Sequence, residues 1–232
     1  DRLEIGRTFL TNNSSRSTQE YADRLGRLGI DGEVHTSTLA TIAYLRRRMP
    51  DVKRLFVLGT PSLRGEMRDA GYELCEESPD DRPDAVLVGF DMTLDFVRLC
   101  RAGYWIERGT PFLATHPDRT CPTDEPTLLV DCGALVACLE SATGRTPIAM
   151  PGKPDPWMLE CVLRKHGLEA SQLAMVGDRI YTDLELARRA SVLGVLVLSG
   201  EATRAQAEAD PPDLVVENLE ELGKLLREAR GR

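Results

Sequence analysis

The sequence predicts an α/β fold made of parallel βαβ units, with helices on both faces of the sheet. Two observations carry that expectation. Short aliphatic runs alternate with helix-period patterns along almost the whole chain. Aromatic residues are only 5% of the sequence while 42% is hydrophobic, so the core must be mostly aliphatic. A length of 232 residues suits one to two domains and buries a substantial core. There is no internal repeat and no low-complexity linker, so a second domain is expected as an insertion rather than a tail.

The elements follow in order. Residues 7–10 read as a buried strand. Ser17 then starts a helix, with Glu20 three positions on completing a capping box; Tyr21, Leu25 and Leu28 follow at helical spacing, and Gly29 stops it. A second helix spans 37–49 and ends before Pro50. Residues 54–58 form the next strand. Helix 63–70 precedes strand 85–90, and helix 94–102 precedes strand 111–115. A Pro- and Asp-rich loop leads to helix 134–142, and 147–150 is extended. Helix 156–166 leads to strand 173–176. Helix 183–190, strand 195–198, helix 203–209, strand 214–216 and helix 219–229 finish the chain.

Charge and composition exclude several classes. The formal net charge of −8 and a pI near 5.1 argue against a nucleic-acid binder, which needs a basic face. No apolar run approaches the ~20 residues that span a membrane. Asp1-Arg2-Leu3-Glu4 carries no signal-peptide pattern. The six cysteines contain no C-x-x-C pair and read as free, mostly buried thiols in a reducing cytoplasm, which is the expected compartment. The three histidines are scattered, without zinc spacing. Neither a G-x-x-x-x-G-K-[ST] loop nor a G-x-G-x-x-G turn is present, so triphosphate and dinucleotide cofactors are not expected.

Three polar clusters follow expected strand ends, where ligands bind in open α/β sheets. The first is Thr11-Asn12-Asn13-Ser14-Ser15, whose hydroxyls, amides and loop N–H groups suit a phosphate at a helix start and equally suit an ordinary turn with an N-cap. Lys153, in Pro151-Gly152-Lys153-Pro154, is a cation directed at low entropy cost; taken alone it is also a surface lysine in a Pro-rich turn. Asp178 and Asp183, in Gly177-Asp178-Arg179-Ile180-Tyr181-Thr182-Asp183, suit a hard cation such as Mg²⁺ or a turn and helix cap. Three strand ends that supply donors, a cation and carboxylates point jointly to phosphate chemistry.

The order of these motifs resembles the haloacid dehalogenase superfamily, in the branch of NagD-like and p-nitrophenyl-phosphatase-like enzymes. Thr-Asn-Asn-Ser-Ser-Arg-Ser, Gly-Lys-Pro, Gly-Asp-Arg-x-x-Thr-Asp and Leu-Ser-Gly-Glu carry the resemblance. Val57-Leu58-Gly59-Thr60, Val88-Gly89-Phe90-Asp91 and Ala114-Thr115-His116-Pro117-Asp118 extend it over nearly the whole chain. The resemblance implies a Rossmann-like core, at 1–58 and 147–232, with a large α/β cap inserted at 59–146. It implies that Thr11 and Asn12 hold a transferring phosphoryl group with Asn13 beside them, and that Lys153 neutralises it. Asp178 would ligate Mg²⁺, with Asp183 supporting the ion. The cap loop with His116, Asp118 and Arg119 would face the leaving group; His116 stands where many relatives carry asparagine.

The implied reaction is Mg²⁺-dependent hydrolysis of a small phosphorylated metabolite through an aspartyl-phosphate, with a homodimer formed through the cap. Its nucleophile belongs to an Asp-x-Asp-Gly-Thr loop that precedes the Thr11 motif by roughly 30 residues of βαβ. Only ten residues precede Thr11, and residues 1–4 look like the tail of the crossover helix. The first strand and nucleophile loop are therefore expected upstream of the chain, which alone is expected to be inactive. Asp91 ends a strand but lacks a second aspartate two positions on, and reads as a helix-start residue; Asp80 and Asp81 read as solvated. A catalytically silent phosphate-binding or assembly protein is the alternative.

Overall fold

The structure, a computed structural model, describes residues 5–231. The expected helix tail at 1–4 lies outside them. Two compact units divide the described residues: 8–152, and 153–231 together with 5–7.

In the unit 8–152, β1 (Thr8–Thr11), α1 (Thr18–Arg27), β2 (Glu33–Thr36) and α2 (Ser37–Arg48) come first. They are followed by β3 (Arg54–Leu58), α3 (Pro61–Asp69), β4 (Glu73–Leu74), β5 (Ala85–Val88) and α4 (Phe96–Glu107). β6 (Phe112–Ala114), β7 (Thr120–Cys121), β8 (Leu129–Val130) and α5 (Cys132–Thr143) complete it. β1 pairs in parallel with β2. β4-β3-β5-β6 form a parallel sheet in that order.

Alternation explains the packing of this sheet. Phe56, Leu58, Val86, Val88 and Phe112 face α4 and α5, where Trp105, Ile106, Leu135 and Leu139 cover them. Leu55, Val57, Leu87 and Leu113 point the other way, onto Ile42 and Leu45 of α2 and Leu63 and Met67 of α3. All four residues of β5 are fully buried, which is why Ala-Val-Leu-Val carries no polar position. Side chains cap the helix starts. Ser17 and Glu20 form the expected capping box, and Thr36, Thr60 and Asp95 cap α2, α3 and α4.

In the other unit, α6 (Trp157–His166), β9 (Ala174–Gly177), α7 (Glu185–Ala190), β10 (Leu193–Val197), α8 (Arg204–Ala209), β11 (Leu214–Val216) and α9 (Leu219–Arg230) alternate. The parallel order is β11-β10-β9. Val195, Val197 and Val216 pack with Leu222 of α9, while Leu196 packs with Leu184 and Ala207.

Five expectations change, the first being the short β4, which stands where no strand is expected. β2 stands where no strand is expected; Glu33, His35 and Thr36 hide it among polar residues. β7 and β8 form an antiparallel pair inside the Pro- and Asp-rich loop. Residues 180–184, expected as the start of a helix at 183, form one π-helical turn before α7. β3, expected on the core side of a boundary at residue 59, is hydrogen-bonded to both β4 and β5 of the expected insert. An apolar run does not announce which sheet it joins.

Two side-chain readings change as well. Cys75 and Cys132 are buried, Cys121 and Cys161 half-buried, and Cys100 and Cys138 exposed, so the thiols are not mostly buried. Asp81, expected to be solvated, accepts from the backbone of Glu76 and from the Arg54 guanidinium. No helix among the described residues is long and apolar enough to cross a membrane.

Candidate active site

Each unit carries part of the polar constellation. In the unit 153–231, Lys153 and the loop after β9 form an acidic cradle. Lys153 Nζ donates to Asp183 Oδ1 at 2.6 Å. Asp183 Oδ2 accepts the backbone N–H groups of Asp178 and Arg179, both at 3.2 Å. The side chain of Asp183 thus folds back over the loop that leads to it. The N–H groups of Asp183 and Leu184 both turn to the carbonyl of Arg179, and the second of these bonds makes the π turn. Asp183 is 3% exposed and spends both oxygens on the protein. It therefore suits a supporting role rather than that of a direct cation ligand.

Asp178 is differently placed. Its Oδ2 accepts the N–H of Glu201 at 2.9 Å, and its carbonyl accepts the N–H of Ala202 at 3.0 Å. Its Oδ1 takes no protein hydrogen bond among the described residues. Added Cβ atoms at Gly177 and Gly200 would overlap the carboxylates of Asp183 and Asp178, so both glycines are required by close approach. Thr182 is buried and its hydroxyl finds no hydrogen-bond partner among the described residues. Glu201 lies over this loop, held by Arg179 Nε at 2.7 Å and the Tyr181 hydroxyl at 2.8 Å.

In the unit 8–152, the residues after β1 form a compact turn. Thr11 Oγ1 accepts the N–H of Asn13 at 3.2 Å. Asn13 Oδ1 accepts the N–H and the hydroxyl of Ser15, at 2.9 and 2.6 Å. The carbonyl of Asn12 accepts the Ser37 hydroxyl at 2.5 Å, tying the turn to α2. Asn12 is buried, and its Nδ2 donates to the carboxylate of Asp118 at 3.2 and 3.3 Å. Burial pushes the Tyr21 phenol above its ordinary value, and the neighbouring Thr11 side chain partly offsets that shift. Asn13 Nδ2 reaches Cys121 Sγ at 3.6 Å.

Of the expected cap-loop residues, Asp118 is half-buried and Arg119 exposed. His116 is 0% exposed, with Thr115 Oγ1 2.8 Å from Nδ1 and Asp131 Oδ1 3.0 Å from Nε2. Ligand atoms of His116, Asp118 and Asp131 all lie within 4.8 Å of one another. Asp131, Thr115, Thr182 and Glu201 escape sequence reasoning as site residues. Thr182 and Glu201 sit inside recognisable motifs and were within reach; Asp131 has no local signal. Asp91 holds the N–H and hydroxyl of Thr93 and pairs with Arg98 at 3.0 Å, so it is a structural carboxylate.

Comparison with known proteins adds a second line. The family model for haloacid dehalogenase-like hydrolases matches residues 2–73, and that for HAD-hydrolase-like proteins matches residues 150–222. The chain is 32% identical over 206 residues to ribonucleotide monophosphatase NagD of Escherichia coli, covering 88% of this chain and 78% of the relative. It superposes on the crystal structure of a Thermotoga maritima 4-nitrophenylphosphatase with a TM-score of 0.86 and 38% identity, covering 94% of this chain and 83% of that one. A Mycobacterium tuberculosis glycerol phosphate phosphatase, solved with magnesium, gives 0.86 at 32% identity over 94% of this chain and 67% of that one.

Proposed function

Because the chain belongs to the haloacid dehalogenase-like hydrolases, we propose that it is a Mg²⁺-dependent phosphatase acting on phosphomonoesters of small metabolites. The observation that carries the reading is the cradle of Lys153, Asp183 and Asp178. A cation held at 2.6 Å by a buried carboxylate, next to a carboxylate with an unspent oxygen, is what a phosphoryl group and its metal require. The activities for which these relatives are named, on ribonucleotide monophosphates, 4-nitrophenyl phosphate and glycerol phosphate, support a small phosphorylated substrate.

In this reading Asp178 Oδ1 ligates Mg²⁺, and Asp183 orients Lys153 and the Asp178–Arg179 backbone. The ion supplies charge neutralisation on the phosphoryl oxygens when bound. Lys153 neutralises a further oxygen, and Thr11, Asn12 and Asn13 donate to the rest. In this reading the nucleophile is the first aspartate of an Asp-x-Asp-Gly-Thr loop, a pattern that residues 1–232 do not contain. It attacks phosphorus in line as the ester P–O bond breaks, the second aspartate of that loop protonates the leaving alcohol, and the same carboxylate takes a proton from the water that then cleaves the aspartyl-phosphate. The cap comprises the β4-β3-β5-β6 sheet with its helices, so it starts ahead of β3 and ends near residue 146. The exposed side chains of Met92, Phe96 and Val97 near the start of α4 support a homodimer through that cap.

The test is hydrolysis of p-nitrophenyl phosphate by the full-length gene product, with and without Mg²⁺. Turnover is expected to require Mg²⁺, to vanish in Asp178→Asn and to fall by orders of magnitude in Lys153→Ala. A full-length protein that binds phosphate and Mg²⁺ without turnover would replace this reading with the silent binder.

A further inference from the structure

We propose that His116 is a positioning residue that acts as one unit with Asp131 to hold Asp118 against Asn12; the inference rests on the reading of Asn12 as a phosphoryl donor. The ring is fully buried and both nitrogens are engaged within the protein, so His116 does not face substrate. Its contacts form a directional chain. The Phe90 N–H donates to Ser14 Oγ at 3.1 Å, and Ser14 Oγ lies 3.0 Å from Thr115 Oγ1. Thr115 Oγ1 lies 2.8 Å from His116 Nδ1, and Nε2 lies 3.0 Å from Asp131 Oδ1.

A neutral ring protonated on Nε2 serves every link of this chain. Asp131 is a carboxylate acceptor, so Nε2 carries the proton and Nδ1 accepts from Thr115, which in turn accepts from Ser14. Ser14, Thr115 and His116 are all 0% exposed, so breaking one link strands a buried polar group.

The chain clamps the turn that carries Asp118. Asp131 fixes the ring at one end of the turn, and its N–H donates to the Arg119 carbonyl at 2.9 Å at the other. The Gly133 N–H donates to the Asp118 carbonyl at 2.7 Å, and a Cβ at Gly133 would overlap the Pro117 carbonyl. The Asp118 carboxylate accepts from Asn12 Nδ2, with its two oxygens at 3.3 and 3.2 Å. That contact fixes the Asn12 carboxamide, the phosphoryl donor of the proposed reading. His116 and Asp131 therefore govern how well a phosphoryl group is held, and not how fast it reacts.

The experiment uses the full-length protein in Mg²⁺, with p-nitrophenyl phosphate for KM and kcat and inorganic phosphate for affinity by calorimetry. His116→Ala and Asp131→Ala are each expected to raise KM and the phosphate Kd about tenfold, roughly one lost hydrogen bond, with kcat within about threefold. The double variant is expected to match either single one. Thr115→Val is expected to behave alike, and Thr115→Ser to restore wild-type affinity. Multiplying effects in the double variant, or a fall in kcat at constant KM, would overturn the pairing.

Should the variants not fold, the wild type decides by ¹⁵N imidazole spectra. A proton on Nε2 with bare Nδ1 supports the chain. A proton on Nδ1 alone, or loss of the Nε2 proton on adding Zn²⁺, overturns it and makes His116, Asp118 and Asp131 a metal site. A wild type without turnover would sink the phosphatase reading, while phosphate affinity and the imidazole proton still judge this one.

Discussion

Replacing Asp183 by asparagine keeps the side-chain volume and removes its charge. The carboxylate makes three contacts: Lys153 Nζ at 2.6 Å on Oδ1, and two backbone N–H groups at 3.2 Å on Oδ2. An amide satisfies one set and opposes the other. With its NH₂ toward Lys153 it loses a charge-assisted bond, about 1.5–3 kcal/mol. With its NH₂ toward the loop it loses two neutral bonds at about 1 kcal/mol each. Both orientations cost about 2 kcal/mol, because the site is buried and water does not replace the missing partner. With a urea m-value of about 1–3 kcal/mol/M, the midpoint falls by about 1 M. Trp157 starts α6 in the same unit, so its fluorescence in a Trp105→Phe background reads this unit alone. Turnover is expected to fall about 10²-fold or more, since Lys153 loses its anchor. A midpoint within about 0.2 M of wild type, at unchanged turnover, would refute the reasoning.

Arg98 holds the ends of β3 and β5 together, bonding Asp91 at 3.0 Å, Glu77 at 3.2 Å and the carbonyls of Val57 and Gly59. Arg98→Ala strands the buried Asp91 carboxylate and is expected to cost about 3–5 kcal/mol in urea unfolding, most of it recovered in the double variant Arg98→Met/Asp91→Asn; a double variant as unstable as the single one would contradict this. Burial pushes the Cys132 thiol up to about 12 and that of Cys75 to about 11. Iodoacetamide on the folded protein is therefore expected to modify the exposed Cys100 and Cys138 first, with early labelling of Cys132 in peptide mass spectra as the adverse result. The backbone N–H groups of Lys53 and Arg54 hold the Asp84 carboxyl below its usual range. A depressed carboxyl stabilises the fold above its unfolded value of about 4, and that contribution is lost as pH falls through the lower folded value. Asp84→Asn is thus expected to lower Tm at neutral pH and to converge with wild type in acid; a constant deficit at every pH would argue against it.

What the sequence makes legible and what it hides divide along the range of the interaction. The Ser17–Glu20 box, the strand ends at Thr11 and Gly177 and the fully apolar β5 are decided within a few residues, and each lies where local chemistry puts it. β2 is decided elsewhere: Glu-Val-His-Thr becomes a strand because β1 pairs along its whole length. The π turn at 180–184 is also a tertiary product, since the Asp183 side chain that closes it is fixed by Lys153, 30 positions earlier.

His116 is the sharpest case. A histidine between threonine and proline in a loop reads as solvent-facing until an acceptor is found. Asp131 lies 15 residues on, past a hairpin that no periodicity announces, and Ser14 joins from 101 positions before Thr115. Residue type at such a position says that a proton donor and acceptor are present; only the fold says whom they serve. For that reason the acidic cradle was readable as chemistry from Gly177 to Asp183, whereas the clamp on Asp118 became readable only once α5 delivered its cap to the end of β6.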